Sequence, residues 1–273
     1  MNTVSAGEWV PRHVDVQRAN PARVYDYLLG GNRNFAVDRE FARRAVEAMP
    51  WVRDLARHNR RFLGRAVRYC AADGARQFLD LGSGMPTGLG VHELARRQDP
   101  TSRVVYVDRE PVAVAHCEVV LAGVPHAGVV EADLADPDHV LGHPTTRRLL
   151  DLDRPVAVVL ASSLHFVLDA DRAAATVAAY LDAVPPGSHL VLSHLADDGD
   201  TGREVSDLVE LSKTTSSAGV ARSREWIAGL FDGLEVVEPG LVYTSQWRPE
   251  EGISLVTGPP SHASLLAAVG RKP

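Results

Sequence analysis

Residues 78 to 90, FLDLGSGMPTGLG, constrain the fold more tightly than any other stretch. A short apolar run ends at Asp80, Gly82 and Gly84 follow within four residues, and a helical pattern, VHELARR, begins at Val91. This order predicts a buried strand that turns sharply into a helix through a glycine-lined corner. Backbone without a Cβ can take positive φ there and let a ligand approach closely. The corner is not the dinucleotide fingerprint G-x-G-x-x-G, because Thr87 stands where the third glycine belongs.

From Gln77 onward, apolar runs alternate with helical patterns. QFLDL, RVVYVD (103 to 108), HAGVVEAD (126 to 133), PVAVVLASS (155 to 163) and HLVLSH (189 to 194) read as five strands. They are continuous Val/Leu runs, as expected of parallel strands covered on both faces. Helical stretches at 91 to 97, 112 to 121 and 170 to 183 separate them. The architecture this implies is α/β, an open, doubly wound, mostly parallel Rossmann-like sheet. After His194 come the acidic loop ADDGDTG, helices at 203 to 212 and near SREWIAGLF, and three runs of strand character: GLEVVEP, LVYTSQW and LLAAVGR. Lys213 to Arg224 and the acidic loop from Asp197 to Asp200 are expected to shape an entrance.

Ahead of the sheet, a polar arm (1 to 20) leads into three predicted helices. Pro21 suits a first turn capped by Asn20. Gly30 and Gly31 end that helix, Asp38 is the expected cap of the second, and the third runs from Val52 to Ala71 with a basic face. The domain reading is an arm and helical cap (1–75) over a sheet domain (76–273), acting as one unit. The loop GGNRNF is costly unless its backbone or amides hold something.

At 45% hydrophobic residues, 273 positions can bury a substantial core, and a net charge of −6 gives no global pull toward nucleic acid or membrane. No apolar run approaches the ~20 residues of a membrane span. The opening residues lack a signal-peptide layout, and Cys70 and Cys117 are too few for a disulfide or metal framework. A cytoplasmic protein without a metal is expected; a homodimer stays open.

In doubly wound sheets, ligands sit beyond the carboxyl ends of the strands. Those ends carry Asp80 with Gly82, Ser83 and Gly84; Asp108, followed by Arg109; Asp133 beside Leu134; Ser162, Ser163 and His165; and His194. A carboxylate at Asp108 can accept both hydroxyls of a ribose, or simply cap the helix near Pro111. Asp133 can accept from an adenine amine while Leu134 covers the ring, or serve only as a turn aspartate. His165 and His194 can be core histidines or bases. Acidic groups at three successive strand ends favour an adenosine-type ligand.

No G-x-x-x-x-G-K-[ST] loop is present for a phosphate. An acidic residue two positions before the first glycine matches the D/E-x-G-x-G loop that holds S-adenosylmethionine. That molecule has no phosphate, but has a sulfonium, an ammonium and a carboxylate. Asp80 can support the ammonium through backbone or water, and Arg23 or Arg60 can grip the carboxylate with two parallel bonds. A nucleotide- or NAD-binding oxidoreductase is the competing class.

PARVYDYLLGGNRNFAVDRE, HNRRFLGRAVRY, FLDLGSGMPTGLGVHELA, VVYVDREPVAVAH, LHFVLD, LVLSH and FDGLEVVEPGLV occur in this order over nearly the whole chain. Together they closely resemble a bacterial S-adenosyl methyltransferase family of the class I superfamily, formerly a domain of unknown function. The resemblance implies a seven-stranded sheet with its final strand inserted antiparallel, S-adenosylmethionine at Gly82, and no fixed acceptor. It also implies that Tyr25, Tyr27 and Asn34 cover the cofactor, with aromatic rings near the sulfonium. The expected activity is methyl transfer to a small molecule, with His165 first and His194 second as candidate bases. A non-catalytic sensor of the cofactor or of its demethylated product is the alternative.

Overall fold

A computed structural model describes residues 14–86, 88, 90–198, 201–249 and 259–273. Most of the N-terminal arm (1–13), Thr87, and Gly199 and Asp200 of the acidic loop lie outside the described residues.

Three helices open the chain: α1 (Pro21–Leu28), α2 (Ala36–Ala48) and α3 (Val52–Ala72). Then come the parallel strands β1 (Gln77–Leu81), β2 (Arg103–Asp108), β3 (Ala127–Glu131), β4 (Ala157–Ala161) and β5 (His189–Leu195). Between them run α4 (Val91–Arg96), α5 (Pro111–Leu121), α6 (Pro137–Gly142), α7 (Pro144–Leu149) and α8 (Ala170–Asp182). After β5 come α9 (Gly202–Ser212) and α10 (Arg224–Gly229), then β6 (Glu235–Val236), β7 (Val242–Tyr243) and β8 (Leu265–Arg271).

The sheet order is β3-β2-β1-β4-β5-β8-β6, with β7 also on β8. The strand β8 is antiparallel to β5, pairing Leu195 with Leu265 and His189 with Arg271. Both β6 and β7 lie along the far edge of β8, against Arg271–Gly270 and Ala267–Leu266 respectively. Eight segments therefore fill the seven expected strand positions. LVYTSQW is strand for only two residues, because Arg65 on α3 donates to the carbonyls of Thr244 and Trp247, both at 2.7 Å. That bond set turns the segment onto the helix, where Trp247 meets Phe62 edge-on at 5.5 Å. The turn that Asp133 begins leads into α6 and α7, two short helices ahead of β4.

Alternate strand residues feed two cores, which explains the unbroken apolar runs. Leu79, Val105, Val158, Leu190 and Leu266 pack toward α8 and α10, whereas Phe78, Val104, Val159, Val191 and Val269 pack toward α3 and α4. A third core joins the cover to the sheet: Val24, Leu28, Phe41, Ala45 and Leu55 meet Val205 of α9, Leu195 and Leu265.

Two polar devices shape the cover. Asn20 caps α1 as expected, accepting from Ala22 N at 2.8 Å. The double glycine wraps the carboxylate of Asp26: a Cβ on Gly31 would collide with it, and Arg33 N and Asn34 Nδ2 each donate to Asp26 Oδ2 at 2.8 Å. Arg33 then reaches the glycine corner through Pro86 O at 3.1 Å. Asp38 is not the cap residue of α2, which begins two residues earlier. Its carboxylate is fully buried and accepts from Phe35 N (2.8 Å), Asn20 N (3.0 Å) and Arg23 Nε (2.9 Å).

Arg23 thereby ties α1 to α2, and also to Glu110 beyond β2 at 3.1 Å. Removing one partner of a buried ion pair strands the other, at about 3–5 kcal/mol. Asp38→Ala is expected to lose that much stability in urea unfolding followed by fluorescence, and a loss under about 1 kcal/mol would contradict the assignment.

Candidate functional site

The strand order reverses between β1 and β4, and the chain leaves both strands at the same end. A crevice must open there, and the three N-terminal helices roof it. The result is a cavity of about 550 Å³, inside the ~300–1,000 Å³ usual for small-molecule sites.

The floor is built by the corner after β1. Gly82 sits at φ +72°, and its N–H and that of Ser83 donate to Val107 O at 2.8 and 3.0 Å. A Cβ on Gly82 would stand 2.5 Å from Ser163 Cβ and 3.2 Å from Leu134 Cδ2, so only glycine fits. Ser163 is held there by its hydroxyl bond to Leu81 O at 2.7 Å. Ser162, at φ +61°, holds a left-handed backbone rare outside glycine, with its N–H on Ser193 O at 3.1 Å. Such strain concentrates at functional sites.

Asp108 accepts Gly84 N (2.6 Å) and Glu110 N (2.8 Å), one on each oxygen. Each oxygen retains a second lone pair, and the residue lines the cavity. Burial holds its carboxyl above the usual range despite those bonds. Asp133 makes the turn bond to Ala135 N (2.9 Å) and also pairs with Arg109 at 3.1 Å. Arg109 donates in turn to Ser217 Oγ at 2.7 Å, bringing the polar stretch after α9 to the rim.

The Asp80 carboxylate is buried and accepts no hydrogen bond among the described residues. Desolvation raises its pKa to about 7, with Arg60 opposing and Asp108 adding to the rise. Tyr25, Arg60, Asp80, Gly82, Ser83, Gly84, Asp108, Arg109, Asp133, Leu134, Ser162, Ser163 and His165 all line the cavity.

Four expected site residues do not. Arg23 is saturated elsewhere: besides Asp38 and Glu110, it donates to Asp15 O and Arg18 O at 3.1 and 2.6 Å. Tyr27 stands about 200° around α1 from Tyr25, so both cannot face inward; the Arg53 guanidinium lies 5.2 Å from its ring. Asn34 spends its amide on Asp26 and Gly31 O. His194 is buried behind the wall, with Nδ1 on Leu195 O (2.7 Å) and Nε2 accepting from Arg222 (2.9 Å). Burial moves its pKa down to about 4. With both nitrogens committed, it is not placed to act as a base.

The cavity also gains residues that the sequence reading passed over. Asn20 lines it, as does Asn59, which donates to Tyr25 Oη (3.0 Å) and accepts from Ser193 Oγ (2.6 Å). The signal for Asn59 was present, an amide inside the apolar i, i+4 row Leu55-Asn59-Leu63. Its neighbour Arg60, also inward, drew attention instead.

A methyltransferase-type sheet with this crevice defines the class, and comparison with known proteins agrees. The profile of the S-adenosyl methyltransferase family matches residues 7–273. A solved structure of a candidate methyltransferase from Thermobifida fusca YX is 40% identical, with a TM-score of 0.90 over 97% of this chain and 99% of that one. A DUF574 family protein from Streptomyces avermitilis MA-4680 is 36% identical, with a TM-score of 0.89 over 95% and 99%. The N-methyltransferase NodS from Bradyrhizobium japonicum WM9, in complex with S-adenosyl-L-homocysteine, shares the fold at 17% identity and a TM-score of 0.50, over 92% and 99%. A comparison with curated proteins found no match. The chain belongs to the S-adenosyl methyltransferase family; its cofactor is S-adenosylmethionine.

The residues present fit that cofactor. The cavity holds five carboxylates (Asp80, Asp108, Glu110, Asp133, Asp169) against three guanidiniums (Arg60, Arg109, Arg172), an acidic excess that suits a cation. Ser83 Oγ is buried without a partner among the described residues, a donor waiting for an acceptor. Among those residues no helix is long and apolar enough to cross a membrane.

The Asp80 value sets the sign of a pH effect. Below about pH 7 the carboxyl is mostly protonated, so the affinity for an ammonium held there would fall in proportion to the ionised fraction. Binding of S-adenosylhomocysteine, which keeps the ammonium, is expected to tighten about tenfold from pH 6 to pH 8 in calorimetry. In Asp80→Asn the profile should be flat; a flat wild-type profile would remove Asp80 from the ligand. Gly82→Ala should abolish binding while the fold persists by circular dichroism.

Proposed function

We propose that this methyltransferase acts on a small-molecule acceptor, with the cofactor's adenosine across Asp108, Asp133 and Leu134 and its amino acid end near Asp80, Ser83 and Arg60. The observation that carries this reading is the acidic set at three neighbouring strand tips, closed over by α1 and α3. Arg60, not Arg23, is the guanidinium that lines the cavity, and it is the one assigned to the carboxylate. Tyr25 presents the ring expected near the sulfonium, where a cation–π contact is worth about 0.5–2 kcal/mol. The cover (1–75) and the sheet domain (76–273) work as one unit in this reading.

S-adenosylmethionine supplies an electrophilic methyl group on a positively charged sulfur. With Asp108, Asp133 and Leu134 holding the nucleoside and Asp80, Ser83 and Arg60 the amino acid end, the bound donor would offer that methyl to an acceptor's lone pair, and the electrons of the broken carbon–sulfur bond would stay on sulfur. The chain's work is to align donor and acceptor and exclude water, which can supply about 7–11 kcal/mol of the barrier. The acceptor's proton goes to His165, which follows β4 in the short turn Leu164–Phe166. Burial, His194 and Arg222 hold the His165 pKa well below the usual value, so its ring is neutral and able to accept at neutral pH. A sensor that only binds the cofactor leaves the apolar part of the cavity without a use.

Calorimetry with S-adenosylmethionine, S-adenosylhomocysteine and NAD tests the cofactor reading; binding of NAD alone would overturn it. With an acceptor found by release of S-adenosylhomocysteine, His165→Gln is expected to lower kcat by about 10²-fold or more while cofactor affinity holds. His194→Gln should lower stability instead. Full turnover in His165→Gln would remove the base assignment.

A further inference from the structure

The cavity has two chemically different ends. At the strand tips it is acidic and hydrogen-bonding. Toward the cover it is walled by Val24, Leu28, Phe41, Ala45, Leu55 and, from the start of β8, Leu265, all buried. These side chains belong to the core that joins cover to sheet, yet they border open volume. An apolar cavity of this kind stays dry or takes an apolar guest.

The polar groups near that wall are already paired within the protein. Asn59 and Tyr25 bond each other, with Tyr25 Oη donating to Ala56 O at 2.9 Å. Asn20 Nδ2 donates to Glu110 (2.6 Å) and Ser216 Oγ (3.0 Å). Ser212 Oγ donates to Val209 O (2.6 Å) and accepts from Gly219 N (2.9 Å). Along the apolar wall a polyhydroxylated guest would bury hydroxyls against hydrocarbon, which is unfavourable for each one left without a partner. Among the described residues, the buried side-chain polar atoms of the cavity wall without a partner are Ser83 Oγ, at the corner, and His165 Nδ1. His165 lines the cavity together with Phe166, their ring centroids 4.4 Å apart.

We propose that the methyl acceptor is a compact, uncharged, mainly apolar organic molecule with a single hydroxyl or amine, its hydrocarbon or aromatic body in the chamber between cover and sheet and its one polar group toward His165. This rests on the methyltransferase reading and narrows it. Roofed by α1, α2, α3 and α9, the chamber takes the whole acceptor rather than a residue on the surface of a protein.

The probe is 2-naphthol, titrated by calorimetry into wild-type protein with and without saturating S-adenosylhomocysteine, with glucose as the polar control. Binding of naphthol but not glucose, weakened at least tenfold in both Ala45→Leu and Leu208→Trp while S-adenosylhomocysteine binds within twofold, is the expected result. Leu208 is only half-buried, so its replacement keeps the test open if Ala45→Leu fails to fold. Absence of naphthol binding, equal binding of glucose, or naphthol affinity unchanged in a folded filling variant would overturn the proposal. If S-adenosylhomocysteine itself fails to bind, the cofactor reading falls, and naphthol without it still decides the nature of the chamber.

Discussion

The buried guanidinium of Arg23 is the interaction on which the cavity depends. It lies on α1, and its carboxylate partners lie on α2 and just past the tip of β2, so three separate pieces of chain are fixed by one planar group. Burial pushes the Glu110 carboxyl upward and Arg23 opposes that, while Asp38 is satisfied by three N–H donors. Buried pairs contribute little net energy compared with an apolar replacement, and their effect here is directional. With this joint in place, the helices stand over the sheet as a roof with a hollow beneath them.

Beneath that roof, the chemistry is divided by the direction in which each element points. Parallel strands deliver their carboxyl ends to one edge of the sheet, and with them Asp80, Asp108 and Asp133. Amphipathic helices deliver their apolar faces, because those faces must be buried somewhere. A cavity between the two is acidic on one side and dry on the other. Burial raises the pKa of the Asp80 carboxyl to about 7 and keeps the His165 imidazole uncharged.

Much of this could be read from the residues in order. Strand and helix positions follow from apolar period, and the capping role of Asn20 follows from residue type. Strand tips could be listed as site residues because the doubly wound fold fixes where strands end. Three kinds of residue escaped. Arg23 looked available because its acidic partners are 15 and 87 positions away. His194 looked like a base because Arg222, which occupies its acceptor nitrogen, comes from a distant loop. The strand character of LVYTSQW was real, but α3 claimed its carbonyls.

Sequence by itself determined the class of fold, the glycine-lined corner and the acidic ligand edge, since each rests on neighbours within a few residues or on a rule of sheet topology. Only the tertiary structure decided which charged groups face the cavity and which are spent elsewhere. A side chain's hydrogen-bonding capacity is consumed by whatever packs against it, and those partners are brought together by folding across distances that local pattern does not encode.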